Sequence, residues 1–254
     1  MDDDALIALA ARLARQAAEA VMAVRAAGFA VERKRDFSPV TAADRMAEAL
    51  IVDGLREATP DIPVVAEEEF EAGVATRAAG RFWLVDPLDG TREFAAGLDS
   101  FAINIGLVQD GAPRLGVVAL PASGEIFGGL VGVGAWKEDA AGARSAIQAR
   151  RPPPEGPVVF ASRHYADDPR ITEFARMHGA SRIVNIGSAE KFCRLAEGAG
   201  DLYPRHGETM EWDTAAPEAV LRAAGGTVAQ WDGTPMRYGK PGWRNPPFLA
   251  RGMP

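Results

Sequence analysis

Three groups of acidic residues have the types and spacing to do chemistry. Glu67-Glu68-Glu69 follows the apolar run 63–66, Asp86-Pro-Leu-Asp-Gly-Thr91 follows Trp83-Leu-Val85, and Glu211-Trp-Asp213 heads an apolar segment. Taken singly, each has an ordinary explanation as a solvated loop, an Asp-Gly turn or a helix cap. The second group asks for more. Pro87 stiffens the backbone so that Asp86 and Asp89 stand in a fixed relation, Gly90 permits a tight turn, and Thr91-Arg-Glu-Phe94 can start a helix whose free N–H groups would hold phosphate oxygens. Two carboxylates beside such a turn would repel an anion unless divalent cations lay between them. Hard oxygen donors of this kind suit Mg²⁺. The chemistry implied is metal-assisted hydrolysis of a phosphate ester.

These groups need elements to hold them. The apolar spacing of Leu6, Leu9, Leu13, Ala17, Val21 and Val24 predicts a helix over 4–27, stopped by Gly28. A second helix is expected from Thr41, exposing Leu50, Ile51 and Leu55 to the core. Short apolar runs at 62–66 and 82–86 read as strands ending in acids, and 101–108, 115–120 and 125–131 as an antiparallel meander. After the Pro-rich stretch 149–157 the pattern alternates: strand 158–162, helix 168–178, strand 182–186, helix 188–198, strand 201–204, helix 213–224, strand 227–231. Such alternation indicates layered α/β structure.

Composition narrows the class. With 254 residues, 47% of them hydrophobic, and a single cysteine, the chain is neither disordered nor a disulfide scaffold. A net charge of −7 argues against polymeric nucleic acid as a partner. Asp2, Asp3 and Asp4 do not resemble a secretory leader, and no run approaches the roughly 18 apolar residues of a membrane span. A cytoplasmic location is expected, with peripheral contact to the inner membrane left open because it needs no span. Cys193 reads as core, and His164, His178 and His206 lack zinc-ligand spacing.

The string Asp86-Pro-Leu-Asp-Gly-Thr91 resembles a signature of the lithium-sensitive, magnesium-dependent phosphatases, the superfamily of inositol monophosphatase, fructose-1,6-bisphosphatase and the bisphosphate nucleotidases. Trp212-Asp213-Thr-Ala-Ala216 with Ala223-Ala-Gly-Gly226 is similar to its second signature, and Val40-Thr-Ala-Ala-Asp44 and Glu67-Glu68 match the other two motifs, in the family's order. Within the superfamily, the bisphosphate nucleotidases are resembled by Ser38-Pro-Val-Thr-Ala-Ala-Asp44, by Phe82 through Phe94, by Lys191-Phe-Cys-Arg-Leu-Ala-Glu-Gly198 and by Asp201-Leu-Tyr-Pro-Arg205. Ala66 departs from the usual Ser or Gly, and Gly187-Ser-Ala-Glu-Lys191 from the usual Gly-Ser-Ser-Leu-Lys.

The resemblance implies a layered αβαβα sandwich: one domain over 1–254, with an α+β subdomain 1–150 bearing most metal ligands and an α/β subdomain 157–254 setting specificity. It implies that Glu67, Asp86 and the Leu88 carbonyl hold one Mg²⁺, that Asp86, Asp89 and Asp213 hold a second, and that Glu67 helps hold a third more weakly through water. Asp44 and Thr91 would orient and deprotonate the attacking water, and the Gly90 and Thr91 amides would cradle the phosphate. Glu68 is expected one layer behind the ligands and Glu69 at the surface. Ser188, Lys191 and Arg205, with Arg163 a weaker candidate, would meet a second phosphate.

The expected reaction is removal of the 3′-phosphate of 3′-phosphoadenosine 5′-phosphate to give AMP, a clearance step tied to sulfate assimilation. The alternatives are hydrolysis of inositol monophosphate or a related sugar phosphate and, remotely, non-catalytic nucleotide sensing. Family members are often homodimers.

Overall fold

The computed structural model describes residues 1–33, 39–74 and 80–253; Ser38 lies outside them. The chain opens with helix α1 (Asp3–Ala27), capped by the Asp2 side chain at the Ala5 amide and ended by Gly28 at φ +81°. A two-residue strand pair, β1 (Glu32–Arg33) and β2 (Pro39–Val40), leads to α2 (Ala42–Ala58). Then come β3 (Val64–Ala66), the short helix α3 (Glu67–Glu71), β4 (Arg81–Asp89) and the short helix α4 (Thr91–Ala95). Five strands run consecutively: β5 (Ala102–Gln109), β6 (Ala112–Leu120), β7 (Glu125–Leu130), β8 (Gly134–Glu138) and β9 (Arg144–Ile147). The chain continues through β10 (Val158–Ser162), α5 (Pro169–Met177), β11 (Arg182–Ile186), α6 (Glu190–Ala196), β12 (Leu202–Arg205) and β13 (Thr209–Met210). It closes with α7 (Ala215–Ala223), β14 (Thr227–Gln230), β15 (Arg244–Asn245) and β16 (Phe248–Arg251).

Strands β3 to β9 form one sheet in sequence order, antiparallel except for the parallel pair β3–β4. A second sheet has the order β11-β10-β12-β16-β14. Strand alternation sends Trp83, Val85, Ile103 and Ile105 toward α1 and α2, and Phe82, Leu84, Ala102 and Val108 toward a core shared with α6, α7 and the second sheet. Helix α5 covers the far face of that sheet through Ile171's neighbours Phe174 and Ala175, packed on Val159 and Leu249. The five layers are the expected αβαβα sandwich.

The Glu67 run, read as a loop from its charge, is a short helix, and strands β8, β9 and β16 were not anticipated. The first two carry Lys137, Glu138 and Arg144 at the sheet edge, where polar residues mask the pattern. No helix among the described residues is long and apolar enough to cross a membrane.

Helix α7 lies in a trough without side chains. Gly106, Gly116 and Gly129 are register partners across β5, β6 and β7. A Cβ at these positions would stand 2.7 Å from the Ala216 nitrogen, 2.2 Å from the Ala216 oxygen and 2.6 Å from the Val220 Cα. The helix therefore packs backbone against backbone.

Glu218 of α7 is buried and accepts a 2.7 Å hydrogen bond from the Tyr238 hydroxyl. Burial pushes its carboxyl up to about 7, against the opposing pull of Tyr238 and Arg222. A carboxyl raised in the folded state favours folding in its protonated form, so its contribution is greatest below the unfolded value near 4.5 and declines as pH rises to about 7. Glu218→Gln is expected to exceed the parent in stability at pH 8 by about 2–3 kcal/mol, with the gap closing toward pH 4.5. Urea titrations of both proteins across that range test this, and a gap independent of pH would refute it.

Candidate active site

Strand β4 ends in a one-residue bulge. Asp86 pairs with Asn104 and Asp89 with Ala102, three steps on β4 against two on β5. In a regular strand, residues three apart face opposite ways; the bulge turns both acids to one pocket. Gly90 follows at φ +95°, with space for a Cβ closed by the Ser100 carbonyl at 3.2 Å, and Thr91 begins α4. Only glycine meets both demands cheaply.

The pocket, about 310 Å³, gathers Glu67 from α3, Asp86, Leu88 and Asp89 from β4, Gly90 and Thr91, and Asp213 from just before α7. Ser188, Lys191 and Arg205 line it as well. Asp44 lies behind: it is 1% exposed at the first turn of α2, with Oδ1 2.9 Å from the Thr91 hydroxyl and Oδ2 accepting from the Thr41 amide and hydroxyl, both at 2.7 Å. The Thr91 hydroxyl is also 3.0 Å from the Leu88 carbonyl. Glu68 does not line the pocket; its amide, like that of Glu69, donates to the Glu48 carboxylate, at 2.7 and 2.8 Å. Glu69 is half-buried and ion-paired with Arg56 rather than free at the surface. Arg163 lines a separate groove with Ser100 and Glu190.

The acids crowd one another. Burial, then the charges of Glu67, Asp89 and Asp213, push the Asp86 carboxyl well above the usual carboxylate range. Asp213 rises to about 8, first by burial and then by Asp89 and Glu67. Asp89 rises only to about 6, because Lys191 and the Ala189 amide offset its burial. Burial also lowers Lys191 to about 8. Its ammonium donates to the carbonyls of Ile186 (3.1 Å) and Ser188 (2.6 Å) and lies 5.1 Å from the Tyr203 ring centre. Arg205 lies over Tyr165 and donates to the Gly207 and Glu208 carbonyls.

The donor set suits a hard divalent cation, and the uncompensated acidity calls for one. As the side chains stand, no group of three or more His, Cys, Asp or Glu among the described residues converges as a ready-made ligand cluster. Asp89 Oδ2 takes the Ala189 amide at 2.5 Å, and Asp213 Oδ2 takes the Met210 amide at 2.8 Å. The chemistry fits the ion, while the spacing is looser than a closed cage.

Sequence reasoning missed Ser162, His164 and Tyr203 in the lining, and the buried partner Glu48. His164 Nε2 is 3.3 Å from Glu93 Oε1. The signal available for Ser162 and His164 was their place at and just beyond the carboxyl end of the parallel strand β10, where open α/β sheets bind ligands.

The chain matches the model of the inositol monophosphatase family over residues 2–248 and belongs to that family. It is similar to the 3′(2′),5′-bisphosphate nucleotidase CysQ of Salmonella typhimurium, 45% identical over 229 residues that span 89% of this chain and 91% of the relative. The protein of the same name from Escherichia coli K12 is 44% identical over the same shares of the two chains. Among solved structures, CysQ from Bacteroides thetaiotaomicron aligns with a TM-score of 0.83 at 31% identity, covering 98% of this chain and 97% of that one. An IMPase from Thermotoga maritima gives 0.79 at 27% identity, covering 98% and 92%. The family and the layered fold expected from the motifs are borne out.

Proposed function

We propose that the chain is a Mg²⁺-dependent 3′(2′),5′-bisphosphate nucleotidase that converts 3′-phosphoadenosine 5′-phosphate to AMP and phosphate. The observation that carries this reading is one pocket that brings the acids Glu67, Asp86, Asp89 and Asp213 together with the cations Lys191 and Arg205. An inositol monophosphate has no second phosphate for those cations to meet. The similarity to the CysQ proteins supports the same substrate.

Two Mg²⁺ ions, held by Glu67, Asp86, the Leu88 carbonyl, Asp89 and Asp213, would acidify the attacking water and offset charge on the phosphoryl oxygens. Thr91, donating its hydroxyl proton to Asp44, keeps its lone pairs free to receive the water's proton. Asp44 is pinned by Thr41 through its other oxygen, and burial raises its carboxyl, which makes it a ready acceptor for the relayed proton. The Gly90 and Thr91 amides, in a first helical turn that leaves N–H groups without internal acceptors, cradle the phosphoryl group for in-line displacement of the ribose oxygen. Lys191 and Arg205, on the wall built by α6 and β12, take the remote 5′-phosphate, with Ser188 at its edge.

Phosphate release with Mg²⁺ is expected to favour 3′-phosphoadenosine 5′-phosphate strongly over inositol 1-phosphate. Arg205→Met is expected to raise KM for the nucleotide about 10- to 100-fold, the size of a lost charge-assisted hydrogen bond, with kcat within a few-fold. Preference for the inositol ester would keep the chemistry and discard the substrate. Silence toward both esters from folded protein that binds Mg²⁺ would point to a sensor.

A further inference from the structure

Asn104 is fully buried on β5, and both ends of its side-chain amide lack a hydrogen-bond partner among the described residues. Such a group lowers stability unless something satisfies it, so its place in the sheet is informative. On the pleated face toward α7, its neighbours along β5 are Ala102 and Gly106, and its partner on β6 is Val118. None of these side chains can accept or donate a hydrogen bond. Directly opposite on β4 is Asp86, and cross-strand partners share a face with their Cβ atoms about 5 Å apart. Asp86 Oδ1 already accepts from the Leu88 amide at 3.0 Å, and among the described residues no donor bonds the other carboxylate oxygen.

We propose that Asn104 is a positioning residue of the metal site, its amide N–H₂ donating to the Asp86 carboxylate and holding it in its ligating orientation when cations are bound. The inference rests on the reading of Asp86 as a metal ligand. The orphaned amide is then a group kept for the loaded state, and the apolar neighbours Ala102, Gly106 and Val118 leave it no other side-chain partner among them. Residues that orient a metal ligand through such a bond typically change metal affinity about 10- to 100-fold when replaced.

The test is Mg²⁺ titration by calorimetry, with melting curves in Mg²⁺-free buffer, on the full chain and on Asn104→Leu, Asn104→Ala and Asp86→Asn. Asn104→Leu is expected to melt at or above the parent without Mg²⁺, because an unpaired buried amide is gone, yet to bind Mg²⁺ at least about tenfold more weakly. Asn104→Ala is expected to weaken Mg²⁺ to a similar extent despite the cavity it leaves. Parent-like Mg²⁺ affinity in both Asn104 variants, with or without a drop in melting temperature, would overturn the proposal and leave a packing role. Parent-like affinity in Asp86→Asn would instead overturn the ligand reading, and the proposal with it.

Discussion

Phosphate release by an Asp86→Asn protein is expected to fall at least about a thousandfold, a loss of roughly 4 kcal/mol of transition-state stabilisation, while the melting temperature in Mg²⁺-free buffer holds or rises. The two halves of this result have one cause. Asp86 is 2% exposed, and burial together with Glu67, Asp89 and Asp213 makes its ionised form costly. The amide of Asn keeps the shape and still offers an oxygen to the Leu88 amide, but it brings no charge into the crowd. Folding gains what the site loses, the usual exchange between stability and function at a strained site. Paired phosphate-release and thermal-melt measurements suffice. Activity within tenfold of the parent would remove Asp86 from the reaction.

The largest loss of stability is expected from Glu211→Ala, about 3–5 kcal/mol in urea unfolding, or on the order of 10 °C in melting temperature. Glu211 is 0% exposed, two residues before Asp213. Its Oε1 accepts from the Lys240 amide at 2.9 Å and from the Lys240 ammonium at 2.6 Å, and its Oε2 from the Gly239 amide at 2.6 Å. Truncation would strand two amides and take the carboxylate partner from a partly buried ammonium that keeps only the Arg237 carbonyl and Asn245 Oδ1, which costs far more than the net worth of the bonds. Asn245 ties the same region by donating to the Met210 carbonyl (2.7 Å) and Thr214 Oγ1 (2.8 Å). Phosphate release should therefore fall together with stability. Glu211→Gln, which keeps an acceptor, should lose about half as much. A loss below about 1 kcal/mol in Glu211→Ala would show that the loop is held by other contacts.

What the sequence disclosed followed from local rules. The Asp86-Pro-Leu-Asp-Gly-Thr91 turn was legible because proline, glycine and a helix start act within six residues, and Thr41 announced α2 for the same reason. Asp44, on a helix face that alone reads as solvated, could be placed only by resemblance, since its partner Thr91 is 47 positions away. Strand β16 was hidden because Pro246 and Pro247 read as loop, yet it sits between β12 and β14. Glu48 and Asn104 carry no motif, and Glu211 was visible only as the first member of the third acidic group; only the fold shows that a carboxylate or an amide is buried there and what it faces. Lys191 was expected to face the substrate, and it lines the pocket while also anchoring two carbonyls of the turn before α6. One residue can serve both ends, and sequence reports only its charge.

The trough of Gly106, Gly116 and Gly129 has a consequence for how such a protein can diversify. Asp86 rides on the sheet and Asp213 on the head of the helix seated in that trough, so the offset between them is set by a joint with no side chain to trim. A single methyl at Gly116 would have to lift the helix, and Asp213 with it. The spacing of the two acids is thus set mainly by close backbone approach, with the Ala223 methyl beside it. Under the proposed function, a change of substrate would fall to the facing wall over residues 188–205, whose side chains are not seated in that joint.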